Sequence, residues 1–117
     1  MNLYHPGKHL LLDFYGASHL NDTAFVEQAL REAAAVCRAT VLDVRLHHFG
    51  VDGGVTGIAL LAESHISIHT WPETAYAALD VFMCGSCDAE QAIPPLQARF
   101  QPESFTVQTM MRGTQQP

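Results

Sequence analysis

Glu63-Ser64-His65-Ile66-Ser67-Ile68-His69-Thr70-Trp71-Pro72-Glu73 carries two faces in one run. Ile66 and Ile68 point one way, and His65, Ser67, His69 and Trp71 the other. That is the two-residue period of a β-strand, and Pro72 ends it. Upstream, Val55 to Leu61 reads as another strand, preceded by a turn at Gly50, Asp52, Gly53 and Gly54. Before that turn, Thr40 to Phe49 alternates, with Leu42, Val44 and Leu46 on one face and Asp43, Arg45, His47 and Phe49 on the other. Downstream, Ala77 to Cys84 sets Leu79, Val81 and Met83 opposite Asp80, Phe82 and Cys84. Farther out, His9 to Tyr15 is a strand stopped by Gly16, and Phe105 to Met111 is the last strand. Asp22 caps a helix running to about Ala39, with Val26, Ala29, Leu30, Ala33 and Cys37 at helical spacing. Asp88 to Phe100 reads as a second helix, which Pro94 and Pro95 are predicted to break or kink near its middle.

The order is therefore β-α-β-β-β-β-α-β. Two helices cover only one face of such a sheet. The other face carries His47, Phe49, His65, His69, Trp71 and Cys84. A surface so rich in rings is a site, a face covered by a second subunit, or both.

With 117 residues the chain is one domain, 1–117, and its 48% apolar content is that of a globular protein. Six Lys and Arg against twelve Asp and Glu leave a net charge of −6. That balance argues against nucleic acid and anionic membrane as partners, since both demand basic clusters. No window approaches the ~20 apolar residues of a membrane span, and Met1 to Gly7 has neither the basic start nor the apolar run of a signal peptide. Three cysteines, Cys37, Cys84 and Cys87, sit among apolar residues, which speaks for a reducing cytoplasm and against a disulfide framework.

From the residues alone the chemistry stays open. The 63–73 stretch can be a plain strand with a polar open face. It can supply metal ligands from Glu63, His65, His69 and Glu73, joined by His47 and His48, although His65 and His69 on one strand stand roughly 13 Å apart. The expectation is that no metal is bound. Cys84-Gly85-Ser86-Cys87 is a single C-x-x-C, a redox pair or half a zinc site. Ser64, His69 and Asp80 are the types of a hydrolase triad, but no G-x-S-x-G elbow accompanies them.

The same stretch resembles the processing and active-site motif of the S-adenosylmethionine decarboxylase family, in its short bacterial and archaeal form. Gly7 to Gly16 resembles the family's first strand. Phe49 with Gly54-Val55-Thr56-Gly57 resembles the loop before the processing strand, Tyr76 to Gly85 the strand with the catalytic cysteine, and Arg112-Gly113 the usual ending. The resemblance spans nearly the whole chain.

It implies an α+β fold, a two-layer sandwich with a mainly antiparallel sheet and two helices on one face. It implies a proenzyme that cuts itself between Glu63 and Ser64, giving a β chain of residues 1–63 and an α chain of residues 64–117. The Ser64 hydroxyl would attack the Glu63 carbonyl, and elimination of the resulting ester would leave a pyruvoyl group in place of Ser64. Serine suits this chemistry because it has both a β-oxygen nucleophile and an α-hydrogen to lose. By resemblance His69 serves processing, Thr56 supports it with a hydroxyl, and Cys84 is the proton donor in turnover. Phe49, Trp71 and Glu73 are the implied substrate-binding residues: an aromatic for adenine, a ring lining or rimming the pocket, and a carboxylate for the ribose hydroxyls. The implied reaction forms a Schiff base between the pyruvoyl group and S-adenosyl-L-methionine, then releases carbon dioxide. The product is S-adenosyl-3-(methylthio)propylamine, the aminopropyl donor for spermidine. The implied assembly is a homodimer of processed protomers. The alternative is an arginine or ornithine decarboxylase on the same pyruvoyl scaffold.

Overall fold

The computed structural model describes residues 7–114. The segment Met1 to Gly7, weighed above as a signal peptide, lies outside the described residues except for Gly7. The elements are β1 (Gly7–Tyr15), α1 (Thr23–Val36), β2 (Val41–His48), β3 (Val55–Leu61), β4 (Ser64–Trp71), β5 (Tyr76–Met83), α2 (Ile93–Phe100) and β6 (Ser104–Arg112). The strands form one sheet in the order β2-β3-β4-β5-β1-β6, and every neighbouring pair is antiparallel. The expected α+β architecture is borne out.

Alternation builds the core. Leu10, Leu12 and Phe14 of β1, Ile66 and Ile68 of β4, and Leu79, Val81 and Met83 of β5 are buried on one face. Val26, Leu30 and Ala33 of α1 and Leu96 and Phe100 of α2 belong to the same cluster. Asp22 caps α1, its carboxylate accepting the Phe25 N–H at 3.0 Å, which satisfies a donor that the first turn leaves free. Among the described residues no helix is long and apolar enough to cross a membrane.

Three local expectations are corrected. The first helix ends at Val36 rather than Ala39, because Arg38 enters the left-handed region at φ 62. Leu42 does not share the core-facing side with Val44 and Leu46. The β2–β3 register shifts between Val41 and Asp43, so Leu42 is the extra residue of a bulge and stands 61% exposed. The prolines do not kink the second helix in its middle. A 3₁₀ turn covers Ala89–Ala92, and the α-helix starts at Ile93 with the prolines in its first turn. Their missing N–H groups have no intrahelical partner there in any case.

One buried polar group fastens the end of the sheet beside the loop that carries Phe49. Thr70 is 6% exposed. Its hydroxyl donates to the Leu20 carbonyl at 2.6 Å and accepts the Val55 N–H at 2.8 Å. A Cβ at Gly54 would collide with the Thr70 carbonyl oxygen, so the chain enters β3 through a position only glycine fills.

Candidate active site

The turn between β3 and β4 is two residues, Ala62 and Glu63, with Leu61 paired to Ser64 across it. Glu63 is pinned from several sides. Its carboxylate accepts the Thr40 N–H at 2.9 Å and the Thr40 hydroxyl at 3.4 Å. Its backbone carbonyl accepts the Cys84 N–H at 3.2 Å and the Cys84 Sγ–H at 3.1 Å. The register explains the second contact: Ser64 pairs with Met83, so the residue after Met83 faces the residue before Ser64. Ser64 itself stands at φ 144, a backbone region that residues other than glycine seldom occupy. Such a conformation costs on the order of 1–3 kcal/mol. A strained serine thus follows a peptide carbonyl held by two donors, the arrangement that stabilises charge on an oxygen during acyl transfer.

A second group lies at the other end of the same strand pair. Thr56 and His69 are cross-strand partners, and Thr56 Oγ1 lies 3.2 Å from His69 Nδ1. Phe49 stands edge-on to His47 with centroids 4.5 Å apart. Trp71 stacks on Tyr76 at 5.2 Å. Glu73 sits exposed in the 3₁₀ turn Pro72–Thr74 that follows β4. A cavity of about 620 Å³ gathers Phe49, Thr56, His69, Trp71 and Glu73 along its walls.

The structure therefore brings the sequence-derived residues together in two sets. Glu63, Ser64 and Cys84 form one, and Phe49, Thr56, His69, Trp71 and Glu73 the other. Ser64 and His69 are five positions apart on β4, about 17 Å at ~3.4 Å per residue. Within one chain the serine and the histidine do not meet.

Between the two sets lies a group that sequence reading did not assemble. Asp80 Oδ1 lies 2.9 Å from His65 Nε2 and 3.3 Å from His9 Nε2, and Oδ2 accepts the Ser67 hydroxyl at 2.6 Å. Asp80 is thus engaged by His65 and His9, and the hydrolase triad with His69 is not assembled. The alternative metal-ligand set of Glu63, His65, His69, Glu73, His47 and His48 does not form a grouping among the described residues either. The three-ligand grouping found among the described residues is His9, His65 and Asp80, with ligand atoms within 4.8 Å. Its members already satisfy one another by hydrogen bonds. A signal for it existed in the alternation of His65, Ser67 and Asp80 on the open face, but the register of β1 against β5, which adds His9, could not be read locally.

Residues 8–113 match the family described as S-adenosylmethionine decarboxylase. The chain is 44% identical over 108 residues to the S-adenosylmethionine decarboxylase proenzyme of Thermomicrobium roseum, covering 92% of this chain and 93% of that one. It is 44% identical to the proenzyme of the same name from Methanococcus aeolicus, over 94% of this chain and 96% of the relative. The crystal structure of the adenosylmethionine decarboxylase from Aquifex aeolicus superposes with a TM-score of 0.86 at 33% identity, covering 95% of this chain and 93% of that chain.

Proposed function

The chain belongs to the S-adenosylmethionine decarboxylase family of enzymes, and on that premise we propose that it decarboxylates S-adenosyl-L-methionine with a pyruvoyl group made from its own Ser64. The observation that carries this reading is the Glu63 carbonyl, which takes hydrogen bonds from both the N–H and the thiol of Cys84 next to a strained Ser64. Attack by the Ser64 hydroxyl on that carbonyl carbon pushes negative charge onto the oxygen that the two donors already hold. Collapse breaks the C–N bond and leaves an ester through the serine oxygen. Relief of the φ 144 conformation favours the same direction. Removal of the Ser64 α-hydrogen then eliminates the Glu63 carboxylate, and hydrolysis of the dehydroalanine releases ammonia. The residues present fit the group they would generate: a serine at the scissile bond, donors on the departing carbonyl, and a thiol beside it.

When formed, the pyruvoyl group supplies a conjugated carbonyl that can hold the substrate amine and accept electrons as carbon dioxide leaves. Cys84, beside residue 64, is the acid that returns a proton to the substrate α-carbon. The cavity with Phe49, Trp71 and Glu73 offers rings for adenine and for the sulfonium and a carboxylate for ribose hydroxyls. A small amino acid such as arginine or ornithine uses neither the ring nor the ribose carboxylate, and this favours the nucleoside substrate. The product, an aminopropyl group on a sulfonium, is an activated donor for building spermidine.

The two residue sets support a homodimer in which each complete site takes Ser64 and Cys84 from one copy and His69, Thr56, Phe49, Trp71 and Glu73 from the other. The sheet face without helices carries exposed Leu11, Tyr15, Ile58, Leu60, Trp71 and Met110, an apolar surface that a second copy would cover. A cytoplasmic setting agrees with three free thiols. Carbon dioxide release from carboxyl-labelled S-adenosylmethionine, arginine and ornithine tests the substrate. Release from the first supports the reading, and release only from arginine or ornithine overturns it.

A further inference from the structure

Cys84-Gly85-Ser86-Cys87 is half used by the reading above, which gives Cys84 a role and Cys87 none. The segment leaves the end of β5 and turns over Gly85 and Ser86. Gly85 stands at φ 70 with open space around the position of a Cβ. Residues flanking a two-residue turn have α-carbons less than about 7 Å apart, which is the separation a disulfide spans. The two thiols hydrogen-bond to two chain segments that are themselves joined, through Glu63 and Thr40. Cys84 Sγ–H donates to the carbonyl of Glu63, whose side chain is bonded to Thr40. Cys87 Sγ–H donates to the carbonyl of Arg38 at 3.7 Å, two residues before Thr40. Each is free and only partly buried. The third thiol, Cys37, is 2% exposed, and burial pushes it up to about 11, so it is a poor nucleophile.

We propose that Cys84 and Cys87 close into a reversible disulfide that withdraws the Cys84 thiol from turnover. The proposal rests on the proton-donor role given to Cys84. The co-reactant is a low-molecular-weight disulfide. The Cys84 thiolate attacks one of its sulfurs, breaking that S–S bond and releasing one thiolate, which takes up a proton. The Cys87 thiolate then attacks the Cys84 sulfur in the mixed disulfide and expels the second thiolate, which also takes up a proton. The two cysteines lose two electrons and two protons between them, and the small disulfide gains both. Burial, with the nearby charge of Glu63, holds the Cys87 thiol above its usual range, so closure is faster at alkaline pH.

The test uses the processed wild-type protein, Cys87→Ser and Cys87→Ala, each titrated with mixtures of glutathione disulfide and glutathione. Free thiols are then blocked and the chains weighed. Wild type is expected to give an α chain about 2 Da lighter with no bound glutathione, and a peptide linking positions 84 and 87. Carbon dioxide release falls at least about tenfold in step with it and returns with dithiothreitol. Both variants turn over normally when reduced and form no internal bond, holding glutathione on Cys84 instead. A lasting mixed disulfide on wild-type Cys84, a bond that uses Cys37, or no oxidation at all overturns the proposal. If reduced wild type releases no carbon dioxide from S-adenosylmethionine, the decarboxylase reading fails, while the masses still decide the disulfide.

Discussion

At Ser64 the backbone stands at φ 144 beside a carbonyl that takes two hydrogen bonds from Cys84. Under the proposed function Cys84 has two separable duties. Cys84→Ala keeps the backbone donor and loses the thiol. Self-cleavage, followed by intact mass, is expected to slow about 10–100-fold, less than the ~100–1000-fold of a full oxyanion donor because a thiol donates weakly. Turnover of the cut protein nearly disappears. Cys84→Ser restores a donor and hence cleavage, but not turnover, since an alcohol is a far weaker acid than a thiol. His69→Ala retains the nucleophile and both donors. Under the proposed role it stalls at the ester, which hydroxylamine then cuts at residue 64; normal maturation would move the role elsewhere, with Thr56 the first candidate. Glu73→Gln keeps the volume and removes a charge that can accept ribose hydroxyls. Substrate binding, read from the rise in KM, is expected to weaken by about 1.5–3 kcal/mol with little effect on cleavage.

The strands β1 and β5 are joined on the open face by a hydrogen bond from Tyr76 Oη to Asp13 Oδ1 at 2.5 Å. That bond, with burial and the charge of Asp13, raises the Tyr76 phenol to about 12. The folded state therefore holds this proton more tightly than the unfolded chain does. The stabilisation is complete below the ordinary phenol range near 10 and is lost as pH rises towards 12. Denaturant unfolding between those limits should show wild type losing about 1 kcal/mol more than Tyr76→Phe, and equal slopes would refute the bond's importance. The elements themselves were legible because alternation is strict in β1, β4 and β5 and the apolar spacing in α1 is helical. Leu42 was misplaced because a bulge leaves the local composition unchanged while reversing the side to which a residue points. The start of α2 was misread because a 3₁₀ turn and an α-helix share the same short-range pattern.

Across the whole molecule, the residue types of the candidate site are legible in the 63–73 motif and the downstream Cys84, but their division is not. It depends on registers, Leu61 to Ser64 at one end and Thr56 to His69 at the other, that no single stretch reveals. The contact of Cys84 with Glu63 depends in the same way on Ser64 pairing with Met83. The division predicts complementation. Assayed with substrate well below KM, Ser64→Ala and Glu73→Ala are each expected to be nearly inactive, one lacking the cofactor precursor and the other a binding carboxylate. Coexpressed in equal amounts, they form mixed dimers with one intact site and one doubly defective site, restoring about a quarter of wild-type turnover if pairing is random. No restoration would mean that each site is built within one chain. The central claim is that Ser64 becomes the cofactor, and the intact mass of freshly purified wild-type protein tests it most directly. Two chains are predicted, residues 1–63 and residues 64–117, the second beginning with a ketoacyl group and blocked to Edman degradation, while Ser64→Ala stays whole. A single uncut wild-type chain that releases carbon dioxide at full rate would contradict it.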